Sequence, residues 1–276
     1  MIFIEIKPSE KLQQFIQSFW WMELDCGDEQ NRFSERVLPG GSSEIIFHLG
    51  DQVSRIDEKN TLTLEPSCFF IGQNTTYYNI AAQGRVKILG VKFYPHTASF
   101  LLRENVGQFN DSIVGLQNIL GNSVNGLYER IYETTDLKTR IALIESFLAK
   151  RIQNERPLQL AYLDFAVQRI IDGKGSRLLA EIVQKLGITN RYLEKLFLSH
   201  IGISPKLFAQ IVQLQNSMWL LASSENSSLT DVSYASGYYD QSHFIHAVKR
   251  FTGFTPSQLK REKIIVQEPF FVLVKT

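Results

Sequence analysis

The chain lacks most of the features that mark secreted, membrane or catalytic proteins. Its 276 residues include only two cysteines, Cys26 and Cys68. They make neither a disulfide framework nor a zinc spacing, which points to two reduced thiols in a cytoplasmic protein. No apolar run approaches the roughly 20 residues that cross a bilayer. No basic segment followed by an apolar stretch opens the chain, so no secretory leader is expected. Phosphate-cradling glycine loops, dinucleotide fingerprints and Ser-His-Asp arrangements do not occur. No cofactor is therefore expected, and the chain does not read as an enzyme. One-signed charge is also missing, since the formal net charge is +1.

That balance hides a split. From Lys174 onward, twelve basic residues face seven acidic ones, whereas the earlier part is acidic. A basic C-terminal part suits phosphate contact. The length suggests two domains, each able to hold its own core.

The clearest pattern lies between Ser176 and Pro256. Leu179, Ile182, Val183 and Leu186 share one helical face, and Gly187 follows as a helix stop. Thr189 can cap the next helix, whose Leu193, Leu196 and Phe197 face the same small core. The unit then repeats. Leu229, Val232 and Tyr234 precede Gly237, Asp240 is the cap, and Phe244, Val248 and Phe251 form the inward stripe. Each is a helix-turn-helix pattern, and a long helix from Pro205 to about Ala222 joins the two.

The region from about Leu178 to Lys260 resembles the DNA-binding domain of AraC/XylS-family transcription regulators. The resemblance rests on Ile203-Ser204-Pro205, Leu220-Leu221 and Gly237-Tyr238. It continues through Asp240-Gln241-Ser242-His243-Phe244, Lys249-Arg250-Phe251 and Gly253-Phe254-Thr255-Pro256. It implies double-stranded DNA as partner and sequence-specific transcription regulation as function. Two departures stand out. The joining helix, basic in relatives, here carries Gln210, Gln213, Gln215, Asn216, Met218 and Trp219. The small residue of each first helix is Val183 and Ser233.

With those inward faces assigned, the outward faces can be named. In the first unit they hold Arg191, Glu194 and Lys195; in the second, Gln241, His243, Ile245 and His246. These are the candidate base readers. Arg and Lys suit guanine, Glu suits cytosine, Gln suits adenine, and Ile suits a thymine methyl. Thr189, Asp240, Lys249 and Arg250 are the candidate phosphate contacts, the first two through helix N-termini. His243 and His246 lie one turn apart, but Asp240, the nearest third donor, is needed as a cap, so no metal is expected there.

The first half reads as short strands with glycine and asparagine turns, which suggests a β-sandwich or barrel. Strands are expected at Ile2–Ile6, Trp20–Leu24, Glu44–Leu49, Thr61–Leu64, Cys68–Gly72, Tyr77–Ala81 and Val86–Tyr94. Helical spacing is read at Leu12–Phe19, Ala98–Leu102, Ile113–Leu120, Val124–Tyr132 and Leu137–Ile152. The stripe Leu137, Ile141, Ile144, Phe147 and Leu148 suits either a homodimer contact or a cover for its own sheet. Arg36-Val-Leu-Pro-Gly-Gly, Phe47-His48-Leu49-Gly50, Ile71-Gly72-Gln73 and Leu89-Gly-Val-Lys-Phe-Tyr-Pro95 resemble the N-terminal domain of one subgroup of the same family. The expected fold class is therefore α+β in two domains. The parts are a β-rich effector or dimerisation domain with helices (1–155), an all-α double helix-turn-helix domain (156–262) and an apolar tail (263–276). Trp20, Phe47, Tyr77, Tyr78 and Tyr94 are the candidate lining of a small-molecule effector pocket. Glu44, His48 and His96 raise a metal-binding sensor or enzyme as the alternative, though strand-face Glu/His pairs are more often structural. A third reading is an interaction protein whose DNA affinity has weakened. The tail is expected to pack back on a domain surface, because free apolar runs aggregate.

Overall fold

The computed structural model describes all residues except 28–32, 58, 152–156, 177–178, 224–227, 262–263, 268–271 and 276. The expected domain break at Glu155-Arg156 lies outside the described residues, as do Phe270 and Phe271 of the tail. For 264–267 and 272–275 the description is of the backbone.

Alternating side chains on the first strands dictate a layered N-terminal half. β1 (Ile2–Ile6), β2 (Ile16–Asp25), β4 (Glu44–His48), β7 (Cys68–Ile71), β9 (Arg85–Phe93) and β10 (Ile113–Gly115) form one sheet, in the order β1-β2-β9-β4-β7-β10. β3 (Phe33–Val37), β5 (Val53–Ile56), β6 (Leu62–Leu64) and β8 (Tyr78–Ala82) belong to a second, together with β11 (Ile264–Gln267) and β12 (Val272–Lys275). Every pairing is antiparallel.

The first sheet is buried on both faces. Phe19, Trp21, Ile45, Phe47, Phe70, Leu89 and Val91 point to one core. Their neighbours Trp20, Ile46, Phe69, Ile71 and Ile88 point to a second core, between the sheets. This is the period-two alternation of a strand read on both sides. Helices cover the outer face: α1 (Ala98–Leu102), α2 (Leu116–Leu120), α3 (Ser123–Glu133) and α4 (Leu137–Ala149). Ile141, Ile144 and Leu148 of α4 are buried in the outer core, and Leu137 and Phe147 pack against it. That stripe covers its own sheet, with Leu137 and Phe147 half-buried at its margin.

Two helix expectations need correction. Leu12, Phe15, Ile16 and Phe19 do not form a helix. Leu12 and Phe15 sit in a turn closed by bonds from Leu12 N to Ser9 O and Ile16 N to Leu12 O, and β2 starts at Ile16. Pairing with the long β9 recruits the later residues into strand. Likewise Ile113–Gly115 pairs with β7 before α2 begins. β3 and β5 were not expected as strands, because their inward positions include polar residues.

The C-terminal half is helical: α5 (Leu158–Asp172), α6 (Leu179–Leu186), α7 (Asn190–His200), α8 (Pro205–Ser223), α9 (Leu229–Ala235), α10 (Gln241–Thr252) and α11 (Pro256–Arg261). One core gathers Ile182, Leu193, Phe197, Phe208, Leu214, Val232, Phe244, Val248 and Phe251. Leu38 of the first half belongs to this core, while Leu160 of α5 belongs to the outer core of the β half. The halves therefore interpenetrate at their junction.

Polar contacts fasten the junction. Arg36 donates from Nη1 to the Thr252 carbonyl at 2.8 Å and from Nε to Asn79 at 2.9 Å. Its guanidinium stacks on Tyr77 and Phe254, 4.0 and 4.5 Å from their centroids. Asn110 Nδ2 donates to the Gly202 carbonyl, and Gln215 Nε2 donates to the Gly40 carbonyl. His200 stacks on Phe100 at 4.5 Å and meets Ser99 Oγ at 2.9 Å. Burial, helped by nearby His96, holds the His200 imidazole below its ordinary range.

Candidate nucleic-acid interface

Local chemistry sets each helix end of the two units. Thr189 has extended backbone, and its hydroxyl accepts from Tyr192 N, which starts α7. Asp240 does the same for α10, accepting from His243 N at 2.7 Å. Ser228 and Asp231 close a reciprocal capping box at the start of α9. Gly187 and Gly237 take φ of 65° and 75°, left-handed values that suit glycine in the turn between helices.

Packing then fixes which faces remain outside. In α7, Leu193, Leu196 and Phe197 are buried, and Arg191, Glu194 and Lys195 are exposed. These three line a shallow surface cleft with Thr189 and Tyr192. In α10, Phe244, Val248 and Phe251 are buried. Gln241, His243, His246, Lys249 and Arg250 are exposed, and Ile245 is half-buried. Gln241 Oε1 lies 3.4 Å from Thr230 Oγ1 of α9. The His243 ring meets Tyr238 edge-on at 5.4 Å. Apart from the half-buried Ile245, the base-reader candidates of each unit thus lie on the exposed side of their helix, with its cap beside them. Tyr234, expected inward, is 63% exposed, because the short α9 buries only Val232 and Ser233. The buried Ser233 hydroxyl donates to the Asp240 carbonyl at 3.0 Å. A small polar residue here ties the two helices of the second unit.

The neutral joining helix also has a physical account. Gln213 is buried and donates to the Ser236 carbonyl at 3.0 Å, across to the second unit. Gln215 reaches the β half. These glutamines hold the scaffold rather than face solvent as lysines would.

The proposed effector lining does not converge. Trp20 and Tyr78 line a cavity between the sheets. Phe47 is buried in the outer core. Tyr77 packs under Arg36 at the junction, and Tyr94 borders a separate cleft with His96 and Asp164. Nor do Glu44, His48 and His96 meet. Glu44 accepts from Trp20 Nε1 at 2.9 Å, His48 Nε2 meets Glu65 at 3.0 Å, and His96 Nε2 meets Asp164 at 2.6 Å. Strand alternation sends the first two into the inter-sheet space and the turn after β9 sends the third toward α5. No group of three metal-ligating side chains occurs among the described residues.

The reading by sequence missed Glu35, Arg36 and Glu65. The alternation Phe33-Ser-Glu-Arg-Val37 carried the signal, with Phe33, Glu35 and Val37 on one face.

Comparison with known proteins places two segments. Residues 4–115 match a domain of unknown function (DUF6597), and residues 182–262 match a helix-turn-helix domain. The Msm operon regulatory protein of Streptococcus mutans is 30% identical over 127 residues, 45% of this chain and 45% of that protein. The HTH-type transcriptional regulator GlxA of Rhizobium meliloti is 30% identical over 116 residues, 41% of this chain and 34% of that protein. The chain thus spans less than half the length of these curated relatives. Among solved structures, ToxT from Vibrio cholerae aligns over 88% of this chain and 98% of its own, at 12% identity and a TM-score of 0.45.

Proposed function

Starting from the AraC-type helix-turn-helix domain that this chain carries at its C-terminal end, we propose that the protein is a sequence-specific transcription regulator. It reads two successive major grooves with α7 and α10. Arg191, Glu194 and Lys195 contact bases in one groove; Gln241, His243, Ile245 and His246 do so in the next. Lys249 and Arg250 contact phosphate, and the N-termini at Thr189 and Asp240 offer backbone N–H groups to it.

The observation that carries this reading is the repeated arrangement. Twice, a capped helix buries its apolar stripe and leaves its polar, base-matching residues outside. Successive grooves on one face of a duplex lie about 34 Å apart, so one chain covers an asymmetric site of about two turns. The β half with α1–α4 (residues 1–155) is the regulatory domain, residues 156–262 the DNA-binding domain, and the β11–β12 hairpin an addition that joins them.

Footprinting on DNA around the gene, followed by titration of the protected fragment, tests the proposal. Arg191→Ala and Gln241→Ala should each weaken binding by about 1–3 kcal/mol and relax sequence preference in different halves of the site. Folded variants that bind as tightly as the parent would remove the reading.

A further inference from the structure

The inter-sheet cavity has a volume of about 130 Å³. An engineered apolar cavity of about 150 Å³ takes up benzene, so this space suits one ring or an equal volume of branched alkyl. Its walls include Trp20, Phe33, Ile46, Phe69 and Ile80. An apolar lining alone would mark a hydrocarbon site. The polar groups say otherwise.

Two carboxylates on the wall already have partners. Glu65 accepts from Arg55 Nε at 3.1 Å and meets His48 Nε2 at 3.0 Å. Glu44 accepts from Trp20 and lies near Lys92, which borders the cavity. Glu35 is different. It projects from the inner face of β3, opposite Ile80 in the register, into the same cavity. Its half-buried carboxyl has no hydrogen-bond partner among the described residues, and burial pushes its pKa up to about 7. A second group lacks a partner. His48 is 98% buried, as its 2% exposure shows, and its Nδ1 has no hydrogen-bond partner. With Nε2–H directed at the Glu65 carboxylate, Nδ1 carries a bare lone pair. Arg55, whose buried Nη2 is a donor without a partner, is not among the cavity walls, whereas the half-buried Glu35 carboxylate and His48 Nδ1 are acceptors on them, so the complementary occupant brings N–H donors and positive charge. The aromatic walls favour the same charge.

We propose that the inter-sheet cavity binds a small protonated amine bearing one apolar ring or a similar alkyl group, with the Glu35 carboxylate as its counter-ion and His48 Nδ1 as a second acceptor. The inference rests on the reading of the β half as a regulatory domain and names the class of its effector. The charged and titratable groups around the site are Glu35, Glu44, His48, Arg55, Glu65, Tyr78 and Lys92, with Cys26 beyond Glu35. Of these, Glu35 is the carboxylate left for an incoming cation.

Calorimetric titration of the full chain with benzylamine, cyclohexylamine and butylamine at pH 8 tests this, with benzyl alcohol and benzoate as neutral and anionic controls. The expected result is saturable binding of at least one amine and none of benzoate. Glu35→Gln, which keeps the shape and removes the charge, should weaken the amine by more than about tenfold while leaving the thermal melt cooperative. Should Glu35→Gln fail to fold, His48→Gln replaces it as the test variant and should also weaken the amine. Binding of no amine, equal binding of benzoate, or unchanged amine affinity in a folded Glu35→Gln protein would each overturn the proposal. DNA binding is measured on the same preparations. DNA binding without amine binding removes the effector alone, and amine binding without DNA binding removes the regulator reading alone.

Discussion

Glu35 occupies a position where packing alone would favour an apolar side chain. Its neighbours on the inner face of β3 are Phe33 and Val37, and it faces Ile80. Its carboxyl titrates at about 7 in the fold against an ordinary 4.5. The folded chain therefore holds this proton more tightly than the unfolded chain does. The neutral form costs the fold nothing below pH about 4, and stability falls as pH rises from there to about 7, after which the cost is constant. Glu35→Gln should accordingly melt at a higher temperature than the parent at pH 8 and at the same temperature near pH 4. Melting curves at the two pH values check this, and equal shifts at both would mean that the carboxylate is solvated. Gly253 makes the complementary case of a residue fixed by its neighbour. Its φ is 75°, and a Cβ there would lie 2.4 Å from Arg36 Nη1. The glycine that closes α10 is thus required by the β half as well as by its own turn.

At the scale of elements, α8 shows how composition can be read too narrowly. A row of glutamines looked like a weakened phosphate surface, yet two of them satisfy carbonyls elsewhere in the fold. Gln213→Ala would leave the Ser236 carbonyl buried without that donor and should cost about 1–3 kcal/mol in urea unfolding. Trp219→Ala, at a side chain 58% exposed, should stay within about 0.5 kcal/mol. The reverse ranking would show that α8 is not fastened through its glutamines. Elements defined by local signals were legible in the sequence. α7, α9 and α10 carry their own caps next to their first turns, and glycine follows α6 and α10. β3 and β5 were not, because their polar inward residues answer to partners on other strands, such as Tyr78 for Arg55. Leu12 to Phe19 kept a helical spacing that tertiary pairing with β9 overrode. The exposed faces of α7 and α10 were legible once the inward stripes were placed. The cavity was not, since Glu35, His48 and Phe69 come from three separate strands.

Across the whole molecule, the halves are held by contacts at both helix-turn-helix units: Asn110 and Phe100 at the first, Arg36 at the second. The C-terminal hairpin adds to this frame. β12 pairs with β3 through Val272↔Val37 and Leu273↔Arg36, and β11 runs beside α8 and α11. An edge strand without a neighbour exposes a row of N–H and C=O groups that invite aggregation. Deleting residues 264–276 should thus lower the melting temperature and broaden the size-exclusion peak. A truncated protein that stays monodisperse with an unchanged melt would show that β3 needs no cover.

One strand carries both kinds of contact. On β3, Glu35 turns inward and the very next residue, Arg36, turns outward to grip the carbonyl at the end of α10. The two side chains hang from a single rigid peptide plane, like the pans of a balance on one beam. A molecule that pulled on one pan would tilt the other by geometry alone, with no relay of intervening side chains. On the proposed reading, the effector contact at Glu35 and the hold on α10 at Arg36 lie one peptide unit apart.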